Sequence, residues 1–156
     1  MTDPTLDAAR FLIGESLAEI RGSLEAAPIE ALNWRPVAGG NSMAVVATHA
    51  LGATRLWLHI AMGLQLPERD RESEFRAKPQ DADEFRRFAR AMSEDCGGAL
   101  GSAESVDWSA IRSTHGRGGD APAEVTAVYA LVHATEHLRG HVYQLALMRQ
   151  LWEVRA

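Results

Sequence analysis

Cysteine is scarce in this sequence, with Cys96 as the single example among 156 residues. One cysteine excludes an intramolecular disulfide and a cysteine-rich metal site. Because proteins of oxidising compartments are commonly held together by disulfides, we expect a cytoplasmic protein. Residues 1–10 carry Asp3 and Asp7 and have no basic stretch followed by an apolar one, so we expect no signal peptide.

Long apolar runs and an excess of basic residues are also missing. His49, Arg55 and His59 interrupt the longest apolar candidate, residues 45–66, and we therefore expect no membrane span. Sixteen Lys and Arg against 21 Asp and Glu give a net charge of -5, which disfavours binding to nucleic acids. The hydrophobic fraction of 46% and the charged fraction of 24% are typical of a folded globular chain. The length predicts one domain.

Helical periodicity is the strongest pattern that the sequence does contain. Apolar residues recur at helical spacing from Leu6 to Leu24 and predict a first helix over residues 5–27. Residues 33–40 are rich in helix-breaking residues and predict a loop. Asn41 or Ser42 is placed to cap a second helix over residues 43–64.

Two further helices follow in the second half of the chain. Asp81, with Glu84 three residues later, has the form of a capping box and predicts a helix over residues 82–96. Asp120 and Pro122 are suited to the start of a long fourth helix over residues 123–152. The charged segment 68–80, which includes the mixed run 69–72, predicts a solvated loop, and the Gly-rich segment 97–119 gives no clear prediction. Four helices without an alternating strand pattern predict an all-α helical bundle.

Three of the six histidines lie on one stripe of the fourth predicted helix. His133, His137 and His141 are spaced by four residues, so each step turns only about 40° around the helix. Two imidazoles at this spacing can chelate one divalent ion. His133 and His141 stand about 12 Å apart along the axis and cannot share an ion directly. The site therefore uses His133 with His137 or His137 with His141.

A further ligand from another helix would complete such a site, and His49 is the candidate. It lies on the apolar stripe of the second predicted helix, beside Val45, Val46 and Gly52, and should therefore face the core. Helical bundles hold metal sites of this kind between facing helices, with positions left open for water or substrate.

The residues around these histidines resemble a known family. The segments LNWRP at 32–36 and GNSM at 40–43, followed by His49, resemble the opening of a DinB-like protein. The HLRGH motif at 137–141 and the tail MRQLW at 148–152 are similar to the second metal motif of that family. Together with residues 69–75, the resemblance covers most of the chain. The resemblance implies a four-helix up-down-down-up bundle that holds a divalent metal through His49, His137 and His141. His133 then has no standard role and is expected to contact the ligands, to line the access channel or to serve as an alternative ligand.

The resemblance also implies an activity. Members of the DinB-like family with assigned chemistry use the metal to bind the sulfur of a low-molecular-weight thiol. We therefore expect zinc, with nickel or iron as alternatives because imidazole binds all three. The thiolate would attack a small electrophilic substrate, giving S-transfer or isomerisation. A hydrolase that activates water on the metal is the alternative activity, and a non-catalytic interaction bundle is the alternative from another class.

A zinc-peptidase motif on the fourth predicted helix and a lone cysteine on the third allow two other interpretations. His133 and His137 with Glu136 match H-x-x-E-H, a zinc-peptidase motif in which Glu136 would be the general base. Outside that motif, Glu136, like His133, is a candidate to contact the ligands or to serve as an alternative ligand. Such peptidases need a third ligand well downstream, and only 19 residues follow His137. Cys96 shares a predicted helix with Phe85 and Phe88, and we expect it to pack in the core rather than to act as a nucleophile.

The remaining expectations concern the surface. His59 and His115 are predicted to lie at the surface, and Trp152 to cover a bundle end or a dimer contact. Apolar residues of the first and fourth predicted helices beyond one buried stripe predict a homodimer, and three residues of the fourth helix are examples. Those residues are Val142, Leu145 and Leu151.

Overall fold

Four long helices form the framework of the computed structural model, which describes residues 3–117 and 119–155. They are α1 (Pro4–Glu25), α3 (Met43–Met62), α5 (Ala82–Gly101) and α6 (Ala127–Val154). The short elements are α2 (Ile29–Asn33), α4 (Arg71–Glu74), β1 (Ile111–Ser113) and β2 (Glu124–Thr126). The fold is thus mostly helical, as predicted, with one small antiparallel hairpin that the sequence did not predict.

The four long helices enclose a single hydrophobic core. Helix α3 packs against α5 and α6, and α1 packs against the same two helices from the other side. The predicted apolar stripe of α1 faces inward, with Leu6 and Leu24 both buried. Helix α3 is buried on nearly every side, so its polar residues are held inside the bundle.

The ends of α3 follow from local chemistry. The Ser42 hydroxyl accepts a hydrogen bond from the Val45 amide and caps the first turn, as predicted. Gly63 ends the helix in the left-handed region at φ 69°, where a residue without Cβ is favoured. These two ends fix the length and register of the helix that carries His49.

Helix α5 is longer than predicted. Its start is as expected, since the Asp81 carboxylate accepts a hydrogen bond from the Glu84 amide. The predicted end at residue 96 was wrong, because the helix continues through Gly97 and Gly98 to Gly101. Ala99 and Leu100 are buried in the core, and this burial outweighs the low helix propensity of the two glycines.

The start of α6 also differs from the prediction. Asp120 and Pro122 precede the helix, which begins at Ala127 with the Thr126 hydroxyl as its cap. The chain between them is extended because Val125 and its neighbours pair with β1. The pairing covers three residues on each strand, too few to show as an alternating pattern.

The side chains of Val142 and Leu145 correct an expectation about the outer surface. Val142 and Leu145 are 2% and 0% exposed and belong to the core. The expectation that both side chains face outward was therefore wrong. Trp152 packs edge-to-face on Trp34 and covers one bundle end. Cys96 is fully buried in the core cluster. Among the described residues, no helix is both long and apolar enough to cross a bilayer.

Candidate metal centre

Three histidines from two core helices meet at one point of the bundle. His49 comes from the middle of α3, whereas His137 and His141 come from successive turns of α6. Each residue places one ring nitrogen within 4.8 Å of the other two. The ring centroids are 5.1 Å apart for His49 and His137 and 4.5 Å apart for His137 and His141. This spacing brings three ligand-type nitrogens close enough to bind a single ion.

A buried carboxylate orients the His49 ring. Nδ1 of His49 lies 3.0 Å from Oε2 of Glu74, and both side chains are nearly buried. An ionised carboxylate only accepts hydrogen bonds, so Nδ1–H of His49 must be the donor. The lone pair of His49 is therefore on Nε2, the nitrogen that remains for a ligand.

Glu74 is itself held in place by Arg69. The guanidinium donates two hydrogen bonds to the carboxylate, from Nε to Oε1 at 2.6 Å and from Nη2 to Oε2 at 2.8 Å. Burial alone would raise the pKa of Glu74, but the hydrogen bonds from His49 and Arg69 and the positive charge of Arg69 lower it from its usual value. Glu74 is thus a carboxylate at neutral pH, and a well-oriented one.

Gly52 makes room for this carboxylate. It lies one turn after His49 on α3, and a Cβ at this position would be 3.1 Å from Cδ of Glu74 and still closer to Oε1. The charged segment that carries Glu74 can pack on α3 only because residue 52 has no side chain. The glycine therefore has a packing role in the site.

The two α6 histidines differ in their partners. Nδ1 of His141 lies 2.9 Å from Oε1 of Gln144, and with the amide oxygen as acceptor the imidazole donates. Nδ1 of His137 is buried and has no hydrogen-bond partner among the described residues. A buried nitrogen without a partner is costly, and a metal ion would satisfy a nitrogen of this ring. The residues present fit a metal.

Burial keeps the α6 histidines unprotonated. It lowers the pKa of His137 to about 3, and the neighbouring imidazoles of His141 and His49 lower it further because they would repel a second protonated ring. Burial is also the main reason that the pKa of His141 is below 6.5. Both rings are therefore neutral at pH 7, the form in which imidazole binds metals.

Comparison with known proteins identifies the family of this chain. A family model described as the DinB superfamily matches residues 13–145 of the chain. The chain belongs to the DinB superfamily. A search of curated proteins gave no match. The matched range includes all three members of the histidine triad, which we define as His49, His137 and His141.

The other predicted site residues of this DinB-superfamily chain are not members of the triad. His133 lines the adjoining cavity, with its ring 4.3 Å from Trp57 and 5.8 Å from His137, centroid to centroid. Glu136 is exposed and lines a groove between α1 and α6, so the structure does not bring it to the triad as a base.

The two histidines predicted to lie at the surface differ in their exposure. His115 is exposed, as predicted, whereas His59 is half-buried and its Nδ1–H donates to the Gln65 carbonyl.

A cavity of about 550 Å³ opens beside the triad. One wall is aromatic and includes Trp57, Tyr129 and His133. The rim is charged and includes Arg71 and Arg117. Both His49 and His137 line this cavity, so a small molecule bound there would reach the triad.

Sequence reasoning missed the residues that support His49. Arg69 and Glu74 belong to the segment predicted to be a solvated loop, yet Glu74 is only 6% exposed. The expectation for residues 69–72 was therefore wrong at Arg69, whose side chain is 10% exposed. The sequence does offer one signal of ordered structure in this segment, because Asp70 is a typical helix-capping residue. Its carboxylate accepts a hydrogen bond from the Ser73 amide at the start of α4.

Proposed function

We propose that the protein is a divalent-metal-dependent enzyme that activates a low-molecular-weight thiol. His49, His137 and His141 would be the ligands. Zinc is the expected ion, and nickel and iron are also compatible with three imidazoles. Three protein ligands leave at least one position open, as in catalytic rather than structural zinc sites.

The observation that carries this proposal is the hydrogen bond between His49 and Glu74. A carboxylate that accepts from one nitrogen of a histidine fixes the tautomer and makes the other nitrogen a better metal ligand. The proximity of His137 and His141 to the same point, and the unpartnered Nδ1 of His137, support the same interpretation. A purely structural core would not favour three imidazoles at one position.

The chemistry follows from what the site can supply. A divalent ion lowers the pKa of a bound thiol, so that the thiolate form is available at neutral pH. The thiol sulfur would then add to an electrophilic carbon of a second small molecule, after the thiol proton has gone to solvent. The π bond or strained ring bond at that carbon breaks, and the atom that receives its electron pair takes up a proton from solvent. Release of the adduct gives S-transfer, whereas expulsion of the same thiol after rearrangement gives isomerisation. The aromatic wall of the cavity, including Trp57 and Tyr129, would hold the apolar part of the substrate.

Elemental analysis of untagged protein tests the proposal. We expect about one divalent ion per chain, and loss of that ion in His49→Ala and in His141→Ala. His59→Ala is the matched control, since His59 lies on the same helix as His49 and outside the triad. Metal-free wild-type protein that does not bind added zinc would contradict the proposal and would favour a non-catalytic bundle.

Two structural features belong to the proposal as well. We infer that the long helices run up-down-down-up, the order implied by the family resemblance. We also infer a homodimer formed through the α1 and α6 face, where exposed apolar residues such as Leu12, Val132 and Tyr143 line a groove. Exposed apolar patches commonly mark interfaces, and a two-fold axis would bring the two grooves together.

A further inference from the structure

The rim of the cavity beside the triad carries more positive than negative charge. Arg69, Arg71 and Arg117 line the cavity, and Asp120 is the acidic residue among its lining residues. Arg69 is neutralised by Glu74, which leaves two arginines against one aspartate. The chain as a whole has a net charge of -5, so the positive charge around this cavity is opposite in sign to that of the whole protein.

Each of the two remaining arginines is oriented by a contact outside the cavity. The guanidinium carbon of Arg71 lies 5.1 Å from the centre of the Phe75 ring, and that ring lies 4.7 Å from His49, centroid to centroid. Nη1 of Arg117 donates to the Pro67 carbonyl at 2.8 Å. An arginine that uses one part of its guanidinium in this way keeps its other N–H groups for an anion.

These two contacts connect the arginines to residues 67–75, the segment that carries Glu74. Arg71 begins α4, the helix that ends with Glu74. Its guanidinium packs on the Phe75 ring, and that ring packs on His49. Pro67, which accepts from Arg117, precedes Arg69 by two residues. Arg71 therefore belongs to the same stretch of chain as the residues that support His49, and Arg117 is tied to that stretch from elsewhere through Pro67.

We propose that Arg71 and Arg117 bind a carboxylate or another anionic group of the small molecule whose reacting end lies at the triad. The inference rests on the proposed function and specifies its substrate class, a thiol that also carries an anionic group. The planar guanidinium fork matches the geometry of a carboxylate and binds it through paired hydrogen bonds. Uncharged thiols would occupy the same cavity without this contact.

The first experiment measures thiol binding to protein loaded with Co²⁺. Bound thiolate gives a sulfur-to-cobalt charge-transfer band, so dissociation constants can be measured without turnover. The probes are two matched pairs, 3-mercaptopropionate with 3-mercaptopropanol and 6-mercaptohexanoate with 6-mercaptohexanol. We expect the acid of at least one pair to bind about tenfold more tightly than the alcohol, the size expected for a hydrogen bond to a charged group.

The variants show whether the arginines cause that preference. In Arg71→Gln/Arg117→Gln the acid and the alcohol should bind equally, whereas Arg90→Gln, an exposed arginine on α5, should keep the preference. A wild-type protein without preference in either pair, or a preference that persists in the double variant, would overturn the inference.

A second experiment separates this inference from the proposed function. Calorimetry with glutarate and the uncharged glutaramide tests anion binding without sulfur. If cobalt protein gives no thiolate band but glutarate still binds more tightly than glutaramide, and the double variant abolishes this difference, the thiol proposal fails and the anion site stands. If neither the band nor the glutarate preference is seen, both proposals fail.

Discussion

His49 donates a hydrogen bond through Nδ1 to a carboxylate 25 residues further along the chain, Oε2 of Glu74 at 3.0 Å. The pair joins α3, the helix most deeply buried in the core, to a four-residue helix at the surface. A metal site that depends on this contact would be sensitive to changes in either element.

Replacing Glu74 with Gln should weaken metal binding. The amide keeps the size of the side chain but loses the negative charge that makes His49 a stronger ligand, and losses of about 10- to 100-fold are typical of such supporting residues. Zinc affinity can be measured by competition with a chromogenic chelator. Glu72→Gln is the control, since Glu72 lies on the same short helix and is exposed. Equal affinities in Glu74→Gln and wild type would show that the carboxylate does not support the ligand.

His137 should matter more for metal binding than His133. His137 belongs to the triad, whereas His133 lines the cavity and stacks on His137. We expect His137→Ala to abolish zinc binding and His133→Ala to weaken it by at most about 10- to 100-fold. Zinc titration of the metal-free variants measures both effects. Loss of the metal in His133→Ala with retention in His141→Ala would mean that the ligand pair lies one turn earlier on α6.

Gly52→Ala should damage both stability and metal affinity. The added methyl group would collide with the Glu74 carboxylate and displace it from His49. Gly98→Ala is the matched control, because Gly98 lies within α5 and a Cβ there meets nothing within 4 Å. The control should gain up to about 1 kcal/mol from higher helix propensity. Urea unfolding and zinc competition measure the two effects, and a stabilising Gly52→Ala would show that the carboxylate can move without cost.

Acid should destabilise the metal-free protein through His137. Burial and the neighbouring imidazoles lower the pKa of His137 to about 3, compared with 6.5 in the unfolded chain. Between these two values the unfolded chain binds a proton that the folded chain does not, so the free energy of unfolding decreases as the pH falls. Urea unfolding at about pH 7.5 and about pH 5 should show a smaller decrease for His137→Gln than for wild type. The same decrease in both proteins would exclude His137 as its source.

Light scattering at micromolar concentration should give about twice the chain mass of 17.0 kDa. Val132→Glu introduces a charge into the groove between α1 and α6 and should produce monomers. Ile111→Glu is the control, since Ile111 is similarly exposed but lies on β1. A wild-type mass near that of one chain would exclude the dimer.

The sequence was most informative where periodicity and burial coincide. His49 could be assigned to a core-facing position because its helix is apolar along one stripe and capped by Ser42. The four-residue spacing of His137 and His141 placed them on one face because an α-helix turns about 100° per residue. These features are local, and local features can be deduced from one sequence.

Glu74 could not be predicted in the same way. Its burial depends on Arg69 for charge balance and on Gly52 for space, and residue 52 is distant in sequence. In isolation the surrounding segment has the composition of a solvated loop. The two strands were missed for a related reason, since Val125 is held by pairing with Arg112 across a separation that no sequence periodicity marks.

The buried position of Cys96 has a practical consequence for labelling. Burial raises the pKa of its thiol to about 12, so at neutral pH it reacts slowly with maleimides and disulfides. The wild-type chain can therefore serve as a nearly thiol-free background, without first replacing a core residue. A cysteine introduced at the cavity rim, for example Asp120→Cys, would be the one site modified by a fluorophore, and its emission could report ligand entry.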